Sequence, residues 1–294
     1  MAVNSIFGQN SINKGTVAKV SVKEVQTGSE HKPTLFAEPV FHLGNFTVTN
    51  SLLNSWLVVL IVIIISLFLK STIKKIPRGL QNALEMIIEA ALNLCDSVTG
   101  SREKTLKFFP IVFALFVFIL LNNWLGLLPG IGSIGYYALE QGHKVFVPFF
   151  RGATADLNTT LALALFSVIG ANIIGVIMVG AWTYINKFIN LKAFLEIPRK
   201  IIKDPTIIIV NPIKAFVSLV EIISEIAKVA SLSFRLFGNI FAGEVLLSSM
   251  AALFAFLVPI PFIFLELIVG MIQALIFAVL TLVYMTIATT TEEH

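Results

Sequence analysis

Five stretches of this chain are apolar for long enough to cross a lipid bilayer, and that restricts the backbone severely. A ~30 Å hydrocarbon core takes about 20 helical residues. No water reaches an unpaired N–H or C=O inside it, so a spanning segment must close its own hydrogen bonds as a helix. The runs lie at about 52–69, 108–128, 158–183, 212–258 and 261–288. The chain is 56% hydrophobic and 13% charged, with a mean hydropathy of +0.89. Soluble domains are closer to half apolar and a quarter charged. The expected fold is an all-α integral membrane protein, with residues 46–294 as its membrane domain.

The charges orient the spans. Lys70, Lys74, Lys75 and Arg78 follow the first run, and Arg102, Lys104 and Lys107 precede the second. Lys187, Lys192, Arg199, Lys200 and Lys203 follow the third, whereas the Gly-rich loop over 130–155 carries only Lys144 and Arg151. Positive charge marks the inner side, so residues 1–45 form a polar tail outside, mostly extended over 1–33, and Glu292-Glu293-His294 lies inside. The net charge of +4 is therefore a topology signal and not a nucleic-acid footprint. Trp56 suits an interface anchor. Between the first two runs, Leu80, Leu84, Ile87, Ile88, Ala91, Leu94, Cys95 and Val98 recur at helical spacing, with Gln81, Glu85, Glu89 and Asp96 on other faces. This predicts an amphipathic helix over 77–98, starting at Pro77 and lying along the inner surface. A short hairpin around Gly142 fits the outer loop, and Asp156 suits the cap of the third span.

Arg235 lies roughly 35 Å of helix from either Pro212 or Pro259, too far for its side chain to escape to an interface. Arginine at that depth costs about 3 kcal/mol on insertion scales, and it does not deprotonate. It is a fixed positive charge that attracts a carboxylate and repels a passing cation, or else half of a buried ion pair. On a helical wheel Ser231, Arg235 and Asn239 share a face. Lys228 and Glu221 fall within about 40° of it, and Glu244 falls opposite. Glu225 suits a pair with Lys228 at i+3. Glu266 and Gln273, seven apart, share a face of the last run, where no Lys or Arg follows Pro261. A lone carboxylate there is suited to take up and release protons, which makes Glu244 and Glu266 relay candidates.

The remaining residues exclude several chemistries. Cys95 is the only cysteine, so neither an intramolecular disulfide nor a cysteine metal cluster forms. No His lies in a span, His143 is a loop residue, and no His-Glu-x-x-His or Walker glycine loop occurs. The chain is not expected to be an enzyme alone, nor to hold a cofactor or metal. A stand-alone ion or solute transporter with an Arg–carboxylate gate is the alternative, but inverted repeats and paired broken helices are not visible.

The run Arg235-Leu236-Phe237-Gly238-Asn239, followed by Ala242-Gly243-Glu244, resembles the diagnostic segment of the subunit a family of F-type ATP synthases. Gln273 to Thr281 and Asp156-Leu157-Asn158-Thr159-Thr160 match in the same order, and the likeness runs from about Val40 to the C-terminus. The residues of 212–258 permit either a hairpin broken near Gly238 or Gly243 or one helix of ~70 Å. The resemblance selects the long helix, strongly tilted and paired with the last. It implies a proton path of two half-channels beside a rotating c-ring. Glu244, Glu266, Gln273 and Asn239 would line the outer half, and Glu221, with Ser231, the inner half; Arg235 would stand between them. Asn123 matches an asparagine near the outer path and equally suits an interhelical hydrogen bond. Gly126 stands where some members carry an acid. With glutamate at both 244 and 266, either can be the carrier. The implied partners are the c-ring, peripheral-stalk subunit b and the other ATP synthase subunits, within the lipid of a bacterial plasma membrane rather than an organellar inner membrane.

The topology is open to direct test. On a Cys95→Ser background, single cysteines replacing Lys74 or Lys200 are expected to react with an impermeant thiol reagent only from the inner side. A cysteine replacing Lys144 is expected to react only from outside, and labelling of that position from inside would overturn the five-span arrangement.

Overall fold

A computed structural model describes residues 35–74, 79–128, 130–140, 143–188, 207–253 and 258–290. The tail over 1–34, Lys75, Pro77, Arg78, Gly142, the cations Lys192, Arg199, Lys200 and Lys203, and Glu292-Glu293-His294 lie outside these residues. Five helices are long and apolar enough to cross a membrane, and the protein is an all-α integral membrane protein. They are α1 (Asn50–Thr72), α3 (Arg102–Leu127), α4 (Leu157–Val179), α6 (Ile207–Leu253) and α7 (Pro259–Ala288). Between them lie α2 (Leu80–Thr99), on the amphipathic segment, and the short α5 (Ala181–Phe188).

Helix α7 is the centre of the bundle. Its Ala274 and Phe277 pack with Leu115 and Ile119 of α3, Ala164 and Val168 of α4, and Leu232 and Leu236 of α6. Two turns on, Ala278, Leu282 and Met285 pack with Phe108 and Val112 of α3, Ala171 of α4 and Cys95 of α2. Helix α2 thus meets the bundle near its C-terminal end, with Cys95 as a core residue, while Ile87, Ile88 and Leu94 of its apolar side stay exposed. Burial pushes the Cys95 thiol up, and neighbouring Asp96 adds to the shift. Van der Waals packing and interhelical hydrogen bonds hold helices together where lipid is as apolar as leucine. Buried polar contacts of that kind join α1 to α3 (Asn54 Nδ2 to Asn122 Oδ1, 3.2 Å) and Ser167 of α4 to Thr281 of α7 (2.7 Å). By contrast, Val59, Leu60, Ile63, Ile64, Leu67 and Phe68 of α1 face outward from the bundle, as a lipid-facing span requires.

Helix α6 is one unbroken helix of 47 residues, ~70 Å at 1.5 Å per residue. Neither Gly238 nor Gly243 interrupts it, and it begins at Ile207, ahead of Pro212. Strand β1 (Pro39–Leu43) pairs antiparallel with β2 (Phe46–Thr49), and a second hairpin joins β3 (Gly135–Glu140) to β4 (His143–Pro148). The first hairpin has a recognisable sequence signal, Gly44-Asn45 between alternating apolar residues. It is moored by Asn50, whose Oδ1 accepts from the Glu38 N–H (3.2 Å) and whose own N–H donates to Glu38 O (3.1 Å). Asp156 accepts the first N–H groups of α4, from Asn158 and Thr159, and also the Ala37 N–H. The helix cap therefore also tethers the chain ahead of β1.

A buried 3-10 turn, Ala153–Ala155, fits among α1, α3, α4 and α6. Just before it, a Cβ added at Gly126 would stand 2.8 Å from Gly152 Cα and 3.1 Å from Gly152 N. Backbone leaves no room there for an acid, or for any side chain. Gly126→Ala is expected to destabilise the protein by about 1–3 kcal/mol, the usual range for overpacking, read as a lower unfolding temperature in detergent. Unchanged stability would show that the two backbones can part.

Candidate functional site

Helix α6 presents two unlike faces. Ser231, Phe234, Arg235, Gly238, Asn239 and Ala242 recur three and four apart and are all exposed. Four of the six are small or lack a long side chain, so Arg235 projects from a shallow stripe. Its Nη2 reaches Ser231 Oγ at 3.5 Å, the outer limit of a hydrogen bond. Among the described residues Arg235 forms no salt bridge. It is not half of an internal ion pair within them, and Asn239 lies one turn further along the same bare stripe.

The other face carries the acids. Gly243 is buried against α7, and a Cβ there would stand 2.0–2.2 Å from the Glu266 carboxylate. Only glycine gives that carboxylate its place. Glu266 is 6% exposed and Gln273 8%, so the shared face read from their spacing turns into the bundle. Glu266 forms no salt bridge or hydrogen bond with the described residues, and Gln273 Oε1 is buried without a hydrogen-bond partner among them. Between the two, Gly270 O accepts from Asn123 Nδ2 at 2.8 Å, and Asn123 Oδ1 accepts from Thr154 Oγ1 at 2.5 Å. Trp124 Nε1 donates to Leu267 O at 3.1 Å. Asn123 therefore forms the interhelical hydrogen bond that its sequence allowed, and it does so beside the Glu266–Gln273 face.

Glu244 differs from Glu266. Arg151 donates to it from Nε (2.9 Å to Oε1, 3.2 Å to Oε2) and from Nη2 (2.7 Å to Oε2). The Arg151 side chain is 2% exposed. In the sequence Arg151 is an outer-loop charge, and nothing local points to its partner 93 residues away. Two further polar residues, Asn172 and Tyr184, carry no motif or spacing that marks them in the sequence. Asn172 Nδ2 donates to Glu225 Oε2 (3.2 Å) and Tyr184 OH donates to Asn172 Oδ1. Glu225 pairs with Lys228 at 2.6 Å, as the i+3 spacing suggests. Lys228 also lies over the Tyr284 ring, 5.4 Å from its centroid, so it turns inward despite its wheel position near Arg235. These groups line a small cavity between α4, α5, α6 and α7. Burial, then the carboxylates of Glu225 and Glu221, push the Tyr184 phenol up to about 12, so it stays a donor. Glu221 is half-buried one turn from Glu225.

Residues 52–286 match the family described as ATP synthase A chain. ATP synthase subunit a of Moorella thermoacetica is 30% identical over 248 residues, 83% of this chain and 93% of its own. That of Syntrophobacter fumaroxidans is 32% identical over 242 residues, 82% and 84% of the two chains. The chloroplastic subunit a of Stigeoclonium helveticum is 32% identical over 245 residues, 83% and 85%. The match begins near the start of α1 and ends near the end of α7, and so takes in Arg235, the Glu244 and Glu266 seats and the α6–α7 pair: the chain belongs to the ATP synthase subunit a family.

Proposed function

We propose that this chain guides protons to and from a rotating ring of c subunits, as the membrane stator of an F-type ATP synthase. The observation that carries the reading is Arg235: a permanent cation, bare on a stripe of small residues, without an internal carboxylate among the described residues. A partner helix surface can approach such a stripe closely, and a rotor carboxylate can then meet the guanidinium. A proton enters from the outer side past Glu244, Glu266, Gln273 and Asn239 and neutralises the rotor carboxylate. After rotation it leaves inward past Ser231 and Glu221. Arg235 repels protons that would pass straight through and attracts each rotor carboxylate that has lost one. A proton crossing 100 mV contributes about 2.3 kcal/mol, an increment that a ring can accumulate. The polar tail is on the outer side, α2 lies along the inner surface, and α6 and α7 run obliquely past the ring. The chain works with the c-ring, subunit b and the soluble catalytic subunits in a bacterial plasma membrane, and nucleotide chemistry belongs to those other subunits. A stand-alone transporter would enclose its charged gate within its own bundle, which the exposed Arg235 does not favour.

Arg235→Ala is expected to abolish ATP-driven proton pumping in reconstituted vesicles and to open a passive proton leak, in a complex that still co-purifies with its partners. Arg235→Lys is expected to lower pumping at least about tenfold, roughly 1.4 kcal/mol or more of lost stabilisation. Lysine is a compact charge without the planar fork and releases its proton more readily when desolvated. Near-normal coupled pumping by assembled Arg235→Ala complexes would sink the reading. Separately, Gly243→Ala is expected to slow pumping, because its methyl group occupies the place of the Glu266 carboxylate, and an unchanged rate would show that Glu266 can sit elsewhere without loss.

A further inference from the structure

The outer half of the bundle holds two carboxylates in opposite circumstances. Glu244 accepts two side-by-side N–H groups from Arg151, one on each oxygen. Arg151 is itself 4% exposed, and its third nitrogen, Nη1, donates to Phe36 O at 3.3 Å. The guanidinium therefore joins α6 to the chain ahead of β1 and to the loop leading into α4. Asp156, five residues on, is already committed to the α4 cap and the Ala37 N–H. Protonating Glu244 would break up a carboxylate that a buried, permanently charged guanidinium holds on both oxygens, which is unfavourable. Glu266 has no cation beside it among the described residues and lies against the bare backbone of Gly243.

We propose that Arg151 is a positioning residue that holds Glu244 as a permanent carboxylate, so that Glu244 shapes the outer path without exchanging protons, and exchange falls to Glu266. This rests on the proton-path reading above. Glu266 takes one proton from outer-side water, passing from carboxylate to carboxyl. It gives that proton up toward the rotor carboxylate and returns to carboxylate; only O–H bonds form and break. Glu244 and Arg151 act as one ion-paired unit, and what the path requires of them is that the two be kept or replaced together.

The test compares Arg151→Gln, Glu244→Gln, the double variant Arg151→Gln/Glu244→Gln, Arg151→Lys and Glu266→Gln. Each is measured in the whole complex, reconstituted in vesicles, as ATP-driven pumping per assembled complex. Each single Gln variant at 151 or 244 is expected to lose about tenfold or more, since each removes one half of a buried ion pair. The double variant pairs two amides and is expected to recover to within about threefold of the parent, a strong departure from additivity. Arg151→Lys, which keeps the counter-ion, is expected to stay within about threefold of the parent, because one charge still meets the other. Glu266→Gln is expected to lose at least about tenfold both alone and in the double-variant background, as removal of the exchanging group demands. A double variant that pumps no better than Glu244→Gln, or that fails to assemble where Glu244→Gln assembles, would overturn the proposal and make Glu244 a carrier. Full pumping per complex by Arg151→Gln would also overturn it, by reducing Arg151 to a structural tie. Arg235→Ala in the same vesicles separates the two levels. If it stays coupled the proton-path reading falls, whereas if it uncouples while the double variant is not rescued, only the role of Arg151 falls.

Discussion

A charge within a bilayer has to find a counter-charge, water or another protein, and the apolar part of α6, Phe216–Leu253, has to answer that demand five times. Glu221, Glu225, Lys228, Arg235 and Glu244 all lie on its one continuous helix. Glu225 and Lys228 answer it locally, one turn apart, with Asn172 and the Tyr284 ring completing the shell. Glu244 answers it across the fold through Arg151. Arg235 has no carboxylate partner among the described residues and lies on the bare stripe. The architecture around α6 follows from these answers: α4, α5 and α7 close on the side where the Glu225–Lys228 pair sits, and the outer loop folds down onto Glu244. The stripe carrying Arg235 is left open, and that open side is where the c-ring fits in our reading.

Close approach of backbones makes the polar interior possible. The Glu266 carboxylate has its place because Gly243 lacks a side chain. Asn123 reaches a main-chain carbonyl of α7 because that carbonyl lies at Gly270, against which Asn123 packs. Gly126 lets α3 touch the backbone at Gly152, next to Arg151. A polar side chain buried between helices is tolerable only if it finds a partner, and each contact needs backbone or side chain brought within about 3 Å. Small residues thus decide where buried polar groups can stand, and thereby where a proton path can run.

The segment ahead of α1 belongs to the same system. Arg151, Asp156 and Asn50 each bond the backbone between Phe36 and Glu38, so the loop carrying Arg151 and the start of two spans are tied to one stretch of chain just ahead of β1. Tyr136 of the second hairpin adds a bond to Pro39 O at 2.9 Å. The N-terminal ends of α1 and α4 are thus held by hydrogen bonds from side chains to the main chain ahead of β1.

The spans, the amphipathic α2, the Asp156 cap, the Glu225–Lys228 pair and the isolation of Arg235 from Glu244 were all legible in the sequence. Each depends on spacing of a few residues along one helix, or on the hydrophobic length needed to cross a bilayer. The continuity of α6 was not legible from its residues alone, since Gly238 and Gly243 permit a break; the packing of α4 and α7 along it is a tertiary matter. The Arg151–Glu244 pair, the seat of Glu266 on Gly243, the Asn54–Asn122 bond and the Tyr184–Asn172–Glu225 chain also needed the fold. Their partners stand far apart in sequence, and periodicity says which way a side chain points but not what meets it there. Sequence alone determined that this chain spans a membrane and carries a permanent charge at its centre. Tertiary structure decided which acid meets a cation, Glu244 through Arg151, because only the meeting of segments far apart in sequence determines what stands beside a buried carboxylate.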